Sequence, residues 1–314
     1  MNVRIVFMGT PAFSVPSLRA LAQAGHVISA VYTQSDQPAG RGRGLRPSAV
    51  KQEAITLGIP VEEVATLRTD SNIARLASYN PDLIVVTAFS HILPSRVLGL
   101  PPSGCLNVHP SLLPRHRGPS PIAASLLAGD RETGVTIMLI DEGLDTGPIL
   151  TQERVGIADA DTTGSLTDSL AALGARLLVD TVGRWMDGDI NARRQDDSAA
   201  TYSEKVVAKD GLLGWREPAE VLWRRVRAYN PWPGCYTVWQ GKRLKIHAAS
   251  VTSEEATGEA GSVVPLADGG KGVGVVTTRG ILKLETVQLE GKRPVSAAEF
   301  VRGQSDFMNS SLIS

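Results

Sequence analysis

The sequence predicts an α/β fold: a doubly wound, mostly parallel sheet over residues 1–188, a linker over 189–205, and a small β-barrel over 206–314. Three observations predict it. Short β-rich runs alternate with helical patterns through the first half of the chain, a polar stretch from Asp187 to Thr201 has no apolar period, and beyond it short strand-like runs recur between Gly, Asp and Ser turns. With 314 residues, both regions are long enough to bury a core.

Each element follows from its pattern. Val3 to Met8 reads as a buried strand. Pro16 to Ala24 puts Leu18, Leu21 and Ala22 on one face and stops at Gly25, the signature of a short amphipathic helix. Val27 to Tyr32 is a second strand, followed by helical patterns at Ser48 to Leu57 and Ser71 to Tyr79 and a third strand at Asp82 to Val86. Cys105 to Val108 and Val135 to Ile140 are further strands, separated by a helix from Pro121 to Ala128. A long helix runs from Ser165 to Met186 and ends before Gly188. In the second region a helix from Pro218 to Tyr229 precedes strands at Tyr236–Trp239, Arg243–Ala248, Gly272–Thr277 and Ile281–Val287. That pattern fits a small barrel, of which the OB-fold is one type.

Composition narrows the function classes. The chain is 42% hydrophobic and 20% charged, ordinary for a soluble globular protein. Formal net charge is zero, so any nucleic acid must be held by local basic patches. Cys105 and Cys235 form no CxxC pair, which argues against a disulfide framework or a cysteine–zinc site and fits a reducing compartment. The first apolar run is cut by Gly9-Thr10-Pro11, too short for a signal-peptide core, and no run approaches the roughly 20 apolar residues that span a bilayer. The expectation is a cytoplasmic protein with no membrane partner and no metal.

Two motifs carry chemistry. Asn107-Val108-His109-Pro110-Ser111-Leu112-Leu113-Pro114 opens at a strand end, and Asp141-Glu142-Gly143-Leu144-Asp145-Thr146-Gly147 follows a later strand. Residues i and i+2 of a strand face one side, so Asn107 and His109 converge, and Pro110 and Pro114 stiffen the exit. Alone, His109 fits a structural strand histidine as well. Ligands of doubly wound sheets sit beyond the carboxyl ends of the strands, which favours both motifs as site loops. Asp145 near His109 is expected to raise its pKa and to help shuttle a proton. The acidic loop lacks the alternate ligands and terminal Glu of an EF-hand, Gly9-Thr10-Pro11 lacks dinucleotide-binding spacing, and the Gly-rich run from Gln37 to Pro47 is not a Walker loop. Gly9 still leaves room for a ligand at the strand end.

Basic residues suggest a second surface. Arg41, Arg43 and Arg46 lie in a glycine-punctuated loop that is either a solvated linker or a segment ordered by a phosphate backbone. Arg115-His116-Arg117 is either a solvated loop or an anion contact. From Val206 onward there are 14 Lys and Arg against 11 Asp and Glu, with clusters at Arg224-Arg225-x-Arg227 and Lys242-Arg243-x-Lys245. Asn230-Pro231-Trp232-Pro233-Gly234 reads as a rigid structural corner.

The two site motifs resemble those of the 10-formyltetrahydrofolate-dependent formyltransferases. The run Thr33-Gln34-x-Asp36-x-Pro38-Ala39-Gly40-Arg41-Gly42, the Asn230-Pro231-Trp232-Pro233 corner and the C-terminal barrel pattern place the resemblance in the branch acting on charged initiator tRNA. It extends from Arg4 to about Phe300. The resemblance implies a Rossmann-like formyltransferase domain, an OB-like tRNA-binding domain, and a monomer acting in translation initiation. It also implies formyl transfer from 10-formyltetrahydrofolate to the α-amine of methionyl-initiator tRNA. Asn107, His109 and Asp145 match the catalytic trio, Ser111, Leu112, Leu113 and Pro114 the folate-binding segment, and Arg41, with Arg43 and Arg46, the basic loop associated with tRNA. One departure stands out: where the family commonly has Ala-Tyr-Gly before Ile-Leu-Pro, this chain reads Ala88-Phe89-Ser90-His91-Ile92-Leu93-Pro94. His91 is an additional candidate base.

Overall fold

A computed structural model describes residues 3–39, 44–255, 258–267 and 272–313. In chain order the first elements are β1 (Arg4–Gly9), α1 (Val15–Gln23), β2 (Val27–Thr33), β3 (Gln37–Ala39), β4 (Gly44–Arg46), α2 (Ala49–Thr56), β5 (Val61–Glu63) and α3 (Asp70–Ser78). They are followed by β6 (Leu83–Thr87), α4 (Ser95–Leu98), β7 (Cys105–His109), α5 (Pro121–Ala128), β8 (Glu132–Leu139), β9 (Ile149–Gly156) and α6 (Thr163–Met186). The rest are α7 (Ala219–Ala228), β10 (Cys235–Trp239), β11 (Lys242–Thr252), β12 (Val263–Pro265), β13 (Val273–Val276), β14 (Ile281–Leu289), β15 (Val295–Ser296) and α8 (Ala297–Gly303).

The chain divides into two compact units, one of Met1–Pro121, Glu132–Gly156 and Thr167–Ser203, the other of Ile122–Arg131, Ile157–Leu166 and Glu204–Ser314. The first holds a seven-stranded sheet in the order β5-β2-β1-β6-β7-β8-β9. Strands β5, β2, β1, β6 and β7 are parallel, and the central β1 and β6 are the near-continuous apolar runs buried on both faces that such a sheet requires. Helix α1 seats Leu18 and Leu21, both fully buried, and stops where Gly25 takes φ +85°. Ser48 and Thr69 cap α2 and α3 by accepting from the backbone N–H groups of Lys51 and Asn72. Gly9 ends β1 in tight packing: a Cβ there would lie 2.9 Å from both Ser14 Cβ and the Thr87 carbonyl.

Strand β8 breaks the parallel pattern. It pairs antiparallel with β7, so Val135 to Ile140 does not deliver the Asp141–Gly147 loop to the carboxyl edge, as its sequence order suggests, but to the opposite edge. The unforeseen strand β9 then pairs antiparallel with β8. The ends of the Gln37–Pro47 run, expected as a loop, form a small hairpin of β3 and β4.

The second unit contains an antiparallel six-stranded sheet in the order β10-β11-β14-β13-β12, with β15 on β14, curled into a half-barrel. Register shifts around Ala248 in β11 give the bulges that bend such a sheet. Trp239, Phe300 and Phe307 fill it edge to face, with ring centroids 5.0–5.6 Å apart. The Arg224-Arg225-x-Arg227 cluster is not a free basic face. Arg227 is buried, donating to the carbonyls of Asp161 and Ala158 at 2.8 and 2.6 Å; Arg225 grips the carbonyls of Asp210 and Leu212; Arg224 pairs with Glu220. Lys242 and Arg243 are exposed, with the Arg243 guanidinium 4.1 Å from the Tyr236 ring centroid. The Asn230–Gly234 corner is tied down by Asn230 Nδ2 to the His247 carbonyl and Gly234 N to the Tyr229 carbonyl, leaving the Trp232 indole exposed.

Truncating a fully buried ring that packs against two others removes both transfer energy and cavity-filling volume. Phe307→Ala is therefore expected to cost about 3–5 kcal/mol of stability. Chemical denaturation checks this, and a loss under about 1 kcal/mol would mean that the aromatic cluster is not the core of this unit.

Candidate active site

The site is built on β7, whose alternation divides its side chains. Val108 turns toward α6, where Gly174 permits close approach: a Cβ on Gly174 would sit 2.9 Å from Val108 Cγ1. Asn107 and His109 face the other way, and both reach Asp145. Asn107 Nδ2 donates to Asp145 Oδ1 over a long 3.4 Å, and His109 Nδ1 lies 3.7 Å from Asp145 Oδ2. The three groups named by the sequence thus come together.

Because β8 runs the wrong way to deliver it, Asp145 reaches His109 by a folded loop. Asp141 Oδ1 accepts from Gly143 N at 3.1 Å and from Thr146 Oγ1 at 2.7 Å, an Asx-type turn that shapes the excursion. Gly147 closes it so tightly that a Cβ would lie 1.8 Å from the Leu139 carbonyl oxygen. Asp145 itself takes φ +53°, a left-handed conformation that Asp tolerates better than most residues.

Electrostatics correct the expectation for His109. Its side chain is 5% exposed, and burial pushes its pKa below the ordinary histidine value; the Asp145 carboxylate and the His116 carbonyl pull upward but do not overcome it. His109 is therefore neutral at pH 7. Its Nε2 donates to the His116 carbonyl at 3.1 Å, which puts the single proton on Nε2. The Nδ1 lone pair then faces Asp145 without a hydrogen, an arrangement able to accept a proton beside a carboxylate counter-ion.

A second layer, unsignalled by the sequence, holds this geometry. Arg117 is neither a solvated loop residue nor an open anion contact: it is buried, donating to Gln195 Oε1 from Nε (3.1 Å) and Nη2 (2.8 Å) and to Asp197 at 2.7 Å. The segment 116–118 lies along 201–203 through Arg117 N to the Thr201 carbonyl and Ser203 N to the Arg117 carbonyl. Gly118 N donates to Asp145 Oδ2 at 2.7 Å. Gln195 Nε2 donates to the carbonyls of Asp145 and Gly147 at 2.8 and 2.7 Å. The stretch read as linker from its polar composition thus also contributes partners to the site loop.

Ser111–Pro114 forms a packed turn beside the trio. Ser111 is fully buried, with its hydroxyl donating to the Arg115 carbonyl, and Leu113 packs with Met138 and Ile149. Thr136 and Gln152 hold the carbonyls of Ser111 and Leu113. Past β6, Ser90 accepts from Gln34 Nε2, and the positive φ belongs to Ala88 rather than to Ser90. His91 stacks edge-on against Phe89 at 5.1 Å, leaving its buried Nε2 without a hydrogen-bond partner; Thr87 Oγ1 is likewise buried and unpaired. Cys105, on the same strand as Asn107 and His109, is an inert thiol, its pKa pushed up to about 12 by burial. Arg46 is exposed at the end of β4, whereas Arg41 and Arg43 lie outside the described residues. Among the described residues no group of His, Cys, Asp and Glu is arranged to hold a metal, and no helix is long and apolar enough to cross a membrane.

Residues 1–182 match the formyl transferase family and residues 205–305 its C-terminal domain. A methionyl-tRNA formyltransferase of Roseiflexus sp. (strain RS-1) is 47% identical over 305 residues, covering 96% of this chain and 93% of the relative. Among solved structures, the sugar 3N-formyl transferase WlaRD, crystallised in the presence of dTDP and 5-N-formyl-THF, superposes with a TM-score of 0.66 at 16% identity over 93% of this chain and all of that one. HypX from Aquifex aeolicus in complex with tetrahydrofolic acid gives 0.63 at 18% identity; 96% of this chain is covered, which spans about half of HypX. The distant structures speak for the fold, and the near relative speaks for the lineage along almost the full length of both chains. The chain belongs to the methionyl-tRNA formyltransferase branch of the formyl transferase family.

Proposed function

We infer that the chain transfers the formyl group of 10-formyltetrahydrofolate to the α-amino group of methionyl-initiator tRNA, in the cytoplasm, where translation starts. The observation carrying the roles below is the convergence of Asn107, a neutral His109 and Asp145 at the end of β7.

The folate supplies an activated formyl group. Residues around the site suit it: a heterocycle with N–H and carbonyl edges would satisfy the orphaned His91 Nε2 and Thr87 Oγ1, and Ser111–Pro114 would supply a packed folate-binding segment. The amine attacks the formyl carbon directly, without a protein nucleophile, in keeping with the inert Cys105 thiol. Asn107 donates from Nδ2 to the developing oxyanion, and the long 3.4 Å bond to Asp145 is the contact it gives up. His109 Nδ1 takes the proton released by the attacking nitrogen, Asp145 stabilises the resulting imidazolium, and the proton passes to the departing nitrogen as the old C–N bond breaks. Residues 1–188 carry this chemistry. The segment 189–205 links the two domains, and the domain 206–314 and the basic loop with Arg41, Arg43 and Arg46 hold the tRNA.

Formyl donor offered with charged initiator tRNA, free methionine or glycinamide ribonucleotide tests the substrate: product should form with the tRNA alone, and formylation of a small amine at a comparable rate would overturn the reading. Removing an oxyanion donor costs about 3–4 kcal/mol, so Asn107→Ala should lower kcat by roughly 10²–10³-fold with tRNA binding retained. Near-normal turnover would remove Asn107 from the mechanism.

The base requires neutral His109, so the enzyme's own acid limb, with the ionisation of the substrate α-amine (about 7.7–8.0) divided out, should have a midpoint below the ordinary histidine value of about 6.5. Asp145 is the main group raising that pKa; Asp145→Asn should move the midpoint further down as well as slow turnover. An acid limb that moves up in this variant would exclude the assigned pairing.

Loss of a phosphate contact weakens binding and flattens its salt response. Arg41→Ala and Arg46→Ala should therefore raise the KM for charged tRNA and reduce its salt dependence while leaving the KM for folate unchanged. Equal effects on both substrates would reassign the loop.

A further inference from the structure

We infer that Gln195 is the positioning residue that sets the separation of His109 and Asp145, resting on the catalytic roles proposed above. It lies between the spans matched to the family's two domains, residues 1–182 and 205–305. A single buried amide acts there on both sides of the pair.

One end of the amide holds Asp145. Gln195 Nε2 donates both hydrogens, to the Asp145 carbonyl at 2.8 Å and to the Gly147 carbonyl at 2.7 Å. Those carbonyls flank the tight turn on which Asp145 takes φ +53°. Isolated residues pay an energetic penalty for this conformation, so partners on the surrounding backbone groups are what keep it populated. The other end of the amide holds the strap facing the pair. Gln195 Oε1 accepts twice from Arg117, and Arg117 sits at the centre of 116–118. The strap touches both members: the His116 carbonyl accepts from His109 Nε2, and Gly118 N donates to Asp145 Oδ2. Two facing carbonyls and one facing guanidinium admit only one orientation of the amide. The Gln195 side chain thus fastens the acid's own loop to the strap that reads the base.

Two variants separate positioning from bulk stability. Gln195→Met keeps the length and adds no charge beside His109, but can neither donate to the Asp145 and Gly147 carbonyls nor accept from Arg117. Gln195→Ala removes the bulk as well. The charged and polar groups facing the His109 ring are Asp145 and His116. As Asp145 drifts away, its influence on His109 weakens. The expected result for both variants, with cooperative thermal unfolding retained, is a kcat lower by about 10–100-fold, the range typical of lost outer-layer support. The KM for formyl donor and for charged tRNA should stay within about twofold, and the acid limb of the rate profile should move to lower pH. An unchanged kcat, or a fall in kcat with the acid limb in its wild-type place, overturns the proposal. Loss of cooperative folding in both variants also overturns it, by assigning Gln195 to stability alone. The wild-type chain assayed alongside keeps the two inferences apart. If it fails to formylate charged initiator tRNA, the functional reading falls; if it is active and the variants match it, only the role of Gln195 falls.

Discussion

A carboxylate 3.7 Å from an imidazole that is almost cut off from water is the constraint on which the rest of this site depends. Burial penalises charge on His109 more than Asp145 rewards it, so the ring stays neutral until a proton is forced on it. A buried, half-compensated pair of this kind survives only if its other polar groups are satisfied. The surrounding chain meets that demand with backbone: the His116 carbonyl for Nε2, Gly118 N for Oδ2, and an amide side chain beneath the acid's own carbonyl.

The sheet supplies the base directly and the acid indirectly. Strand β7 runs parallel to β6 and ends at the same edge, so Asn107 and His109 emerge where doubly wound sheets bind ligands. The antiparallel β8 ends at the other edge, and the Asx turn on Asp141 and the tight closure at Gly147 bring Asp145 back. Acid and base arriving by different routes means that their separation is set by loop geometry, which is why small supports far apart in sequence bear on it.

What was legible in the sequence follows the same division. Periodic features could be read: the apolar run of β1, the Leu18–Leu21 face of α1, the i and i+2 pairing of Asn107 with His109. Strand direction could not, because the apolar pattern of Val135 to Ile140 is the same whichever way the strand runs; only pairing with β7 decides it. The sign of the His109 shift was also hidden, since proximity of Asp145 argues one way and burial, invisible in one dimension, argues the other more strongly. The arginines mislead for a related reason. Arg117 and Arg227 look like surface charge in a linear chain, yet both are buried and spent on acceptors within the chain, while Arg243 remains outside. Gln195 left no signal, because one amide in an aperiodic polar stretch resembles any solvated residue.

A depressed histidine pKa suits this chemistry better than the raised one suggested by the Asp–His spacing alone. An α-amino group titrates near pH 7.7–8.0 in model compounds, about one unit above neutrality, so a useful fraction is free to attack without a strong base. As that nitrogen bonds to carbon it becomes far more acidic, and the acceptor needs only to be empty at that instant. A histidine held charged by Asp145 would have to lose its proton first. In the proposed transfer His109 is empty at rest and would gain Asp145 as its counter-ion in the step where charge appears, spending the stabilisation on the transition state rather than on the resting site.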